Sequence, residues 1–89
     1  MATIQLTNRK ASQSLMGQSV LVTLDATDAL QLDNLSEGQL VTNDGNSKTG
    51  TINRVDYPGN SFSVNPIQPD RDFGVYGYLA ASQTVTVTT

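Results

Sequence analysis

Apolar and polar residues alternate along most of this chain, the two-residue period of a strand with one face on a core and one on water. In Ala2–Thr7, ATIQLT, Ile4 and Leu6 share one face while Thr3, Gln5 and Thr7 share the other. Ser19–Leu24, SVLVTL, is apolar on both faces and reads as a central strand. In ALQL, Leu30 and Leu32 fall on one side, with Asp33 and Asn34 following as turn residues. QLVT comes after Gly38 and leads into NDGNSKTG, a run of turn formers in which Asp44-Gly45 is a hairpin signal. TINRVDY, SFSVNP, VYGYLAA and the terminal TVTVT complete a set of up to eight short strands.

Helix signals are sparse. Ala11–Gln18, ASQSLMGQ, has room for one turn before Gly17 cuts it short. Thr27–Leu35, TDALQLDNL, is the better helical competitor, with Thr27 or Asp28 as cap. The alternation favours strand or extended chain for both. Pro66 and Pro69 in NPIQPDRD each deny a ladder one donor, so this stretch is the nearest thing to a hinge. Many short strands joined by Gly, Asn and Pro turns predict an all-β single domain over residues 1–89, a small β-barrel (SH3-like) or sandwich with extended terminal strands. Residues 1–18 would form an N-terminal arm, and residues 83–89 a C-terminal pairing strand.

Size and composition narrow the range of functions. A chain of 89 residues buries only roughly 60% of its unfolded surface, so association with other chains is a natural supplement to a thin core. There is no cysteine and no histidine, which removes disulfides, thiolate metal sites, the commonest metal ligand and the usual general base. The net charge of −3 and pI of about 4.4 argue against nucleic-acid binding through a basic face. Charged residues make up only 15%, so the surface is largely neutral and hydrogen-bonding, better suited to protein contact than to steering a charged ligand. No apolar run is long enough to span a bilayer, and the N-terminal charges follow a short alternating segment, the wrong order for a signal peptide. The expected site of synthesis is a cytoplasm.

The central stretch, EGQLVTNDGNSKTGTINRVDYPGNSFSVNPIQP, places Gly38 before Leu40-Val41, opens GTINRVD with Gly50, and follows the turn YPGN with SFSVNP. This series resembles the hairpins of SH3-like β-barrels, including KOW-type modules, over residues 37–69. In strict alternation Ile52 and Val55 face opposite sides, so placing both in a core requires a bulge between them. KOW-type barrels that bind RNA carry basic loops; here the matching loops hold Asp44, Lys48, Asp56 and Asn60, so that function does not carry over. As a whole the chain is similar in style to small head-decoration or cement proteins of tailed phages: short, cysteine-free β domains rich in Thr, Asn and Gln, with extended termini. That resemblance implies a virion location, with self-association or a major capsid or other virion protein as partner.

Candidate chemistry is thin. Asp25, Asp28 and Asp33 lack the glycine turn and closing glutamate of a calcium loop, so turn formation and capping are expected of them, not a metal site. Asp70 and Asp72 flank Arg71 in DRDFG, a local ion-pair arrangement in a chain too short for a kinase. Ser12, Ser14 and Ser61 have no histidine partner. No catalytic, cofactor-binding or metal-binding residue is therefore assigned, and no cofactor is expected. Interface candidates are Tyr57, Phe73, Tyr76 and Tyr78, because aromatics anchor protein contacts, and the terminal Thr84, Val85, Thr86, Val87 and Thr88. That last segment is β-branched and unguarded by lysine or proline, so Gln83–Thr89 is expected to pair as a strand, either closing its own barrel or adding to a neighbouring subunit, with β-augmentation favoured. The expected function is a structural subunit of a phage particle. The alternative is an SH3-like module that binds a peptide or glycan through Tyr57 and the Tyr76/Tyr78 face. A third reading, a nucleic-acid-binding barrel, rests on Arg9, Lys10, Lys48 and Arg54.

Overall fold

The computed structural model describes residues 2–12, 19–45, 47–66 and 79–89. Among them six strands form one antiparallel sheet: β1 (Thr3–Thr7), β2 (Val20–Thr23), β3 (Leu40–Asn43), β4 (Thr49–Asp56), β5 (Ser61–Pro66) and β6 (Thr84–Thr88). Their spatial order is β1-β6-β3-β4-β5-β2. The C-terminal strand thus lies inside the sheet, with Thr86 opposite Gln5 of β1 on one side and opposite Thr42 of β3 on the other. Of the two expected pairings, the one within the chain is found, and the favoured addition to another subunit is corrected: both backbone edges of β6 are occupied within the chain. Residues 3–7 are likewise a sheet strand and not part of an arm.

Alternation sends one face of the sheet inward. Leu6, Val20, Val22, Val41, Ile52, Phe62, Val64, Val85 and Val87 are buried together, and Leu24, Leu32, Leu35 and Leu79 join the same core from outside the strands. The required bulge is present, since the β4–β5 register slips between Ile52 and Arg54. Asn53 takes up the extra position, so Ile52 sits opposite Val64 and Val55 opposite Phe62, and both pack on the core. Gly50 is buried where a Cβ would lie 2.6 Å from Val64 Cγ1 and 2.7 Å from the Asn65 carbonyl oxygen. Only glycine lets β4 and β5 approach this closely.

Three expectations change. Ser19–Leu24 supplies an edge strand, not a central one, and Leu21 on its outer face is 42% exposed. Asp28–Asn34 is a 3-10 helix that buries Leu32 and leaves Leu30 75% exposed, so these two leucines do not share a face. Its start is fixed by Asp25, whose Oδ1 accepts the Asp28 N–H at 2.7 Å, rather than by a side chain of Thr27 or Asp28. In the β3–β4 loop the positive φ falls on Ser47 (63°) and not on Gly45, so the connection is not the two-residue hairpin that Asp44-Gly45 suggests.

Among the described residues the sheet is open: no backbone ladder joins β1 and β2, and no barrel closes. The two edges meet beyond β1, where the Arg9 N–H donates to the Thr23 carbonyl (2.7 Å) and Asn8 Oδ1 accepts the Thr23 N–H (3.0 Å). Asn8 is fully buried, and its Nδ2 donates to the carbonyls of Leu79 (3.3 Å) and Ala80 (2.9 Å). One amide thereby ties the end of β1 to β2 and to the turn before β6.

Candidate interaction face

The face opposite the core is built by the other half of each alternating strand. Across β1, β6, β3 and β4 the register aligns Thr3, Thr88, Leu40 and Thr51 in one row, and Gln5, Thr86, Thr42 and Thr49 in the next. Every residue in these two rows is uncharged, and Leu40 is 39% exposed among them. Hydroxyl and amide groups set about 4.7–4.9 Å apart between strands make a surface that can hydrogen-bond over its whole width.

At the end of these rows the Asp44 carboxylate accepts from Gln5 Nε2 (3.2 Å), Thr84 Oγ1 (2.9 Å) and Thr86 Oγ1 (2.8 Å). It pins the β3–β4 loop to β6 and β1. Beneath it, buried Asn43 accepts from the Gly45 N–H at 2.9 Å and from Gln83 Nε2 through Oδ1. Its Nδ2 is the buried side-chain donor left without a partner among the described residues, a local cost of about 1–3 kcal/mol. Toward the β2 edge, Asn53 Nδ2 donates to Ser19 Oγ (2.7 Å) and Asn65 Oδ1 (3.0 Å), and Ser19 Oγ donates to Asn65 Oδ1 (2.7 Å). The bulge residue therefore stitches three segments together on this face. Gln5, Ser19, Asn53 and Asn65 carry no sequence signal beyond their place in the polar phase of each segment, and Asp44 is marked in the sequence only as a turn residue.

Of the interface candidates, Thr84, Thr86 and Thr88 lie half-buried on this face, whereas Val85 and Val87 are fully buried in the core. Tyr57 stands apart in the β4–β5 turn, 53% exposed, its Oη donating to the Leu32 carbonyl at 3.5 Å. Phe73, Tyr76 and Tyr78 lie outside the described residues, as do Asp70, Arg71, Asp72 and Ser14. Ser12 Oγ accepts the Leu21 N–H at 3.1 Å, and Ser61 is buried in β5.

The three aspartates have separate tasks. Asp25 caps the 3-10 helix and pairs with Arg9 at 3.0 Å. Asp28 Oδ2 accepts the Thr7 N–H at 3.3 Å, and Asp33 is exposed. No group of His, Cys, Asp or Glu suited to a metal gathers among the described residues. No helix among them is long and apolar enough to cross a membrane. In comparisons with known proteins, no family model, curated protein or solved structure matches this chain.

Proposed function

We propose that this protein is a non-enzymatic structural subunit, a phage virion component that decorates or cements a capsid shell through protein–protein contacts. The observation that supports this reading is the pair of uncharged rows that crosses β1, β6, β3 and β4, with the Asp44 carboxylate at one end. A surface of hydroxyls, amides and an exposed leucine is covered by another protein at far lower desolvation cost than a charged one, and its hydrogen bonds can be remade across the contact. Repetition over a lattice would multiply contacts that are individually weak. Electron microscopy of particles carrying the chain should place this face against a shell protein. Thr42→Arg with Thr51→Arg should release the subunit from the particle while leaving its fold intact. Recovery of the chain only as a free host-encoded monomer overturns the proposal.

A second reading, a peptide- or glycan-binding module, is favoured by one observation: Tyr57 rests on the 3-10 helix whose Leu30 stands farther into solvent than Leu21, Leu40 or Tyr57 itself. Aromatic and aliphatic side chains open to water in this way serve as anchors for a ligand. Tyr57→Ala would abolish ligand binding in that case and leave particle attachment through the sheet face unchanged.

A further inference from the structure

The two edges of the sheet are treated differently. On β2 three of the outward groups are answered: the Leu21 N–H by Ser12 Oγ, the Thr23 N–H by Asn8 Oδ1, and the Thr23 carbonyl by the Arg9 N–H. Such side-chain and main-chain caps keep a strand edge from recruiting another chain. On β1 the pattern of bonds to β6 shows which groups point outward. The Asn8 N–H donates to the Gln83 carbonyl, and the Thr89 N–H to the Ala2 carbonyl, so the even-numbered residues face β6 and the backbone groups of Thr3, Gln5 and Thr7 face away. The Thr7 N–H is answered by Asp28 Oδ2. The outward backbone groups of Thr3 and Gln5 have no hydrogen-bond partner among the described residues, and both residues are exposed. The contacts that draw β1 toward β2 lie at Asn8 and Arg9, beyond the far end of the strand.

We infer that the Thr3–Gln5 edge of β1 is a docking site for a second copy of this chain, pairing antiparallel with the same edge about a two-fold axis at Ile4. The occupant follows from the register. With the dyad at Ile4, Thr3 of each copy faces Gln5 of the other, and each such pair exchanges both N–H···O bonds. Shifting the dyad toward Thr7 would oppose a strand to an N–H already held by Asp28. Residues 2–7 carry no charge, proline or glycine, so nothing in the segment repels its own copy. Ile4, half-buried at the margin of the core, meets its counterpart across the axis and loses its remaining contact with water. The contact is small, so the dimer is weak and concentration-dependent in free solution. The inference stands apart from the virion reading, since it concerns self-pairing alone.

The absence of native cysteine allows a direct test. Residues facing each other across the axis without exchanging hydrogen bonds have Cα atoms about 4.5 Å apart, within reach of a disulfide. Ile4→Cys under mild oxidation should form a covalent dimer much faster than Thr88→Cys, whose position on β6 is enclosed by β1 and β3. Because Ile4→Cys also trims the core, wild-type protein is followed in parallel by sedimentation velocity. It should dimerise as concentration rises, and Thr3→Pro, which removes one outward N–H, should remain monomeric with an unchanged urea midpoint. A wild-type chain that stays monomeric at the highest attainable concentration overturns the inference, as does dimerisation unaffected by Thr3→Pro.

Discussion

Asn8 and Arg9 are neighbours with opposite leverage on stability. The Arg9–Asp25 pair, 3.0 Å apart, is partly open to solvent, and pairs of this kind contribute about 0–1 kcal/mol. The Asn8 amide is fully buried and answers one N–H and two carbonyls from separate segments, each costing about 1–3 kcal/mol when left bare. The amide therefore outweighs the ion pair. Asn8→Ala should lower unfolding free energy by roughly 3 kcal/mol in urea titrations, and Arg9→Ala by less than about 1 kcal/mol. Equal losses in the two variants would refute this ranking. Gly50→Ala tests a different limit: a Cβ directed at the Asn65 carbonyl oxygen forces backbone to move, at a cost of about 1–3 kcal/mol.

At the scale of elements, the interior position of β6 turns loss of the C-terminus into loss of the fold. Deleting Gln83–Thr89 removes two fully buried valines and leaves facing edges of β1 and β3 unpaired. The truncated chain should show no cooperative unfolding transition by circular dichroism, and in the intact chain β6 amides should exchange only on global opening. A truncated chain that folds cooperatively would contradict the role assigned to β6. The missing lysine or proline at the end of the sequence has its explanation here, since an inner strand has no edge to guard. The existence of β1, β3, β4, β5 and β6 is legible in their alternation, and the bulge in the mismatch of Ile52 with Val55. Which strands lie side by side is not legible, because pairing partners distant in sequence leave no local mark. The 3-10 helix is hidden because Leu30 and Leu32 have strand spacing, and only one of them reaches the core. The outer face is visible as a polar phase in each strand, but its uncharged rows emerge only once the register between strands is known.

The whole molecule joins its two ends: β1 runs beside β6, and the Thr89 N–H donates to the Ala2 carbonyl at 2.9 Å. Contacts between the first and last strands close the longest possible loop in the chain, so folding should be slow for a domain of this size, with relaxation in milliseconds or longer. Linking Thr89 to Ala2 through a short glycine-rich turn makes β6–β1 a local hairpin without disturbing any bond of the sheet. New termini fit the Tyr57–Asn60 turn, where Tyr57, Pro58 and Gly59 are exposed, although the Asn60 carbonyl accepts the Leu24 N–H and must stay attached to β5. Opening the chain between Pro58 and Gly59 respects that bond. The permutant should keep the native amide spectrum and lie within about 2 kcal/mol of the parent in stability, since only loop entropy and one exposed turn change. Stopped-flow refolding should be faster if β6–β1 docking limits the rate, because the linkage converts the most distant pairing into the most local one. A permutant that folds with native stability but no faster than the parent would place the rate-limiting step in the β3–β4–β5 hairpins instead.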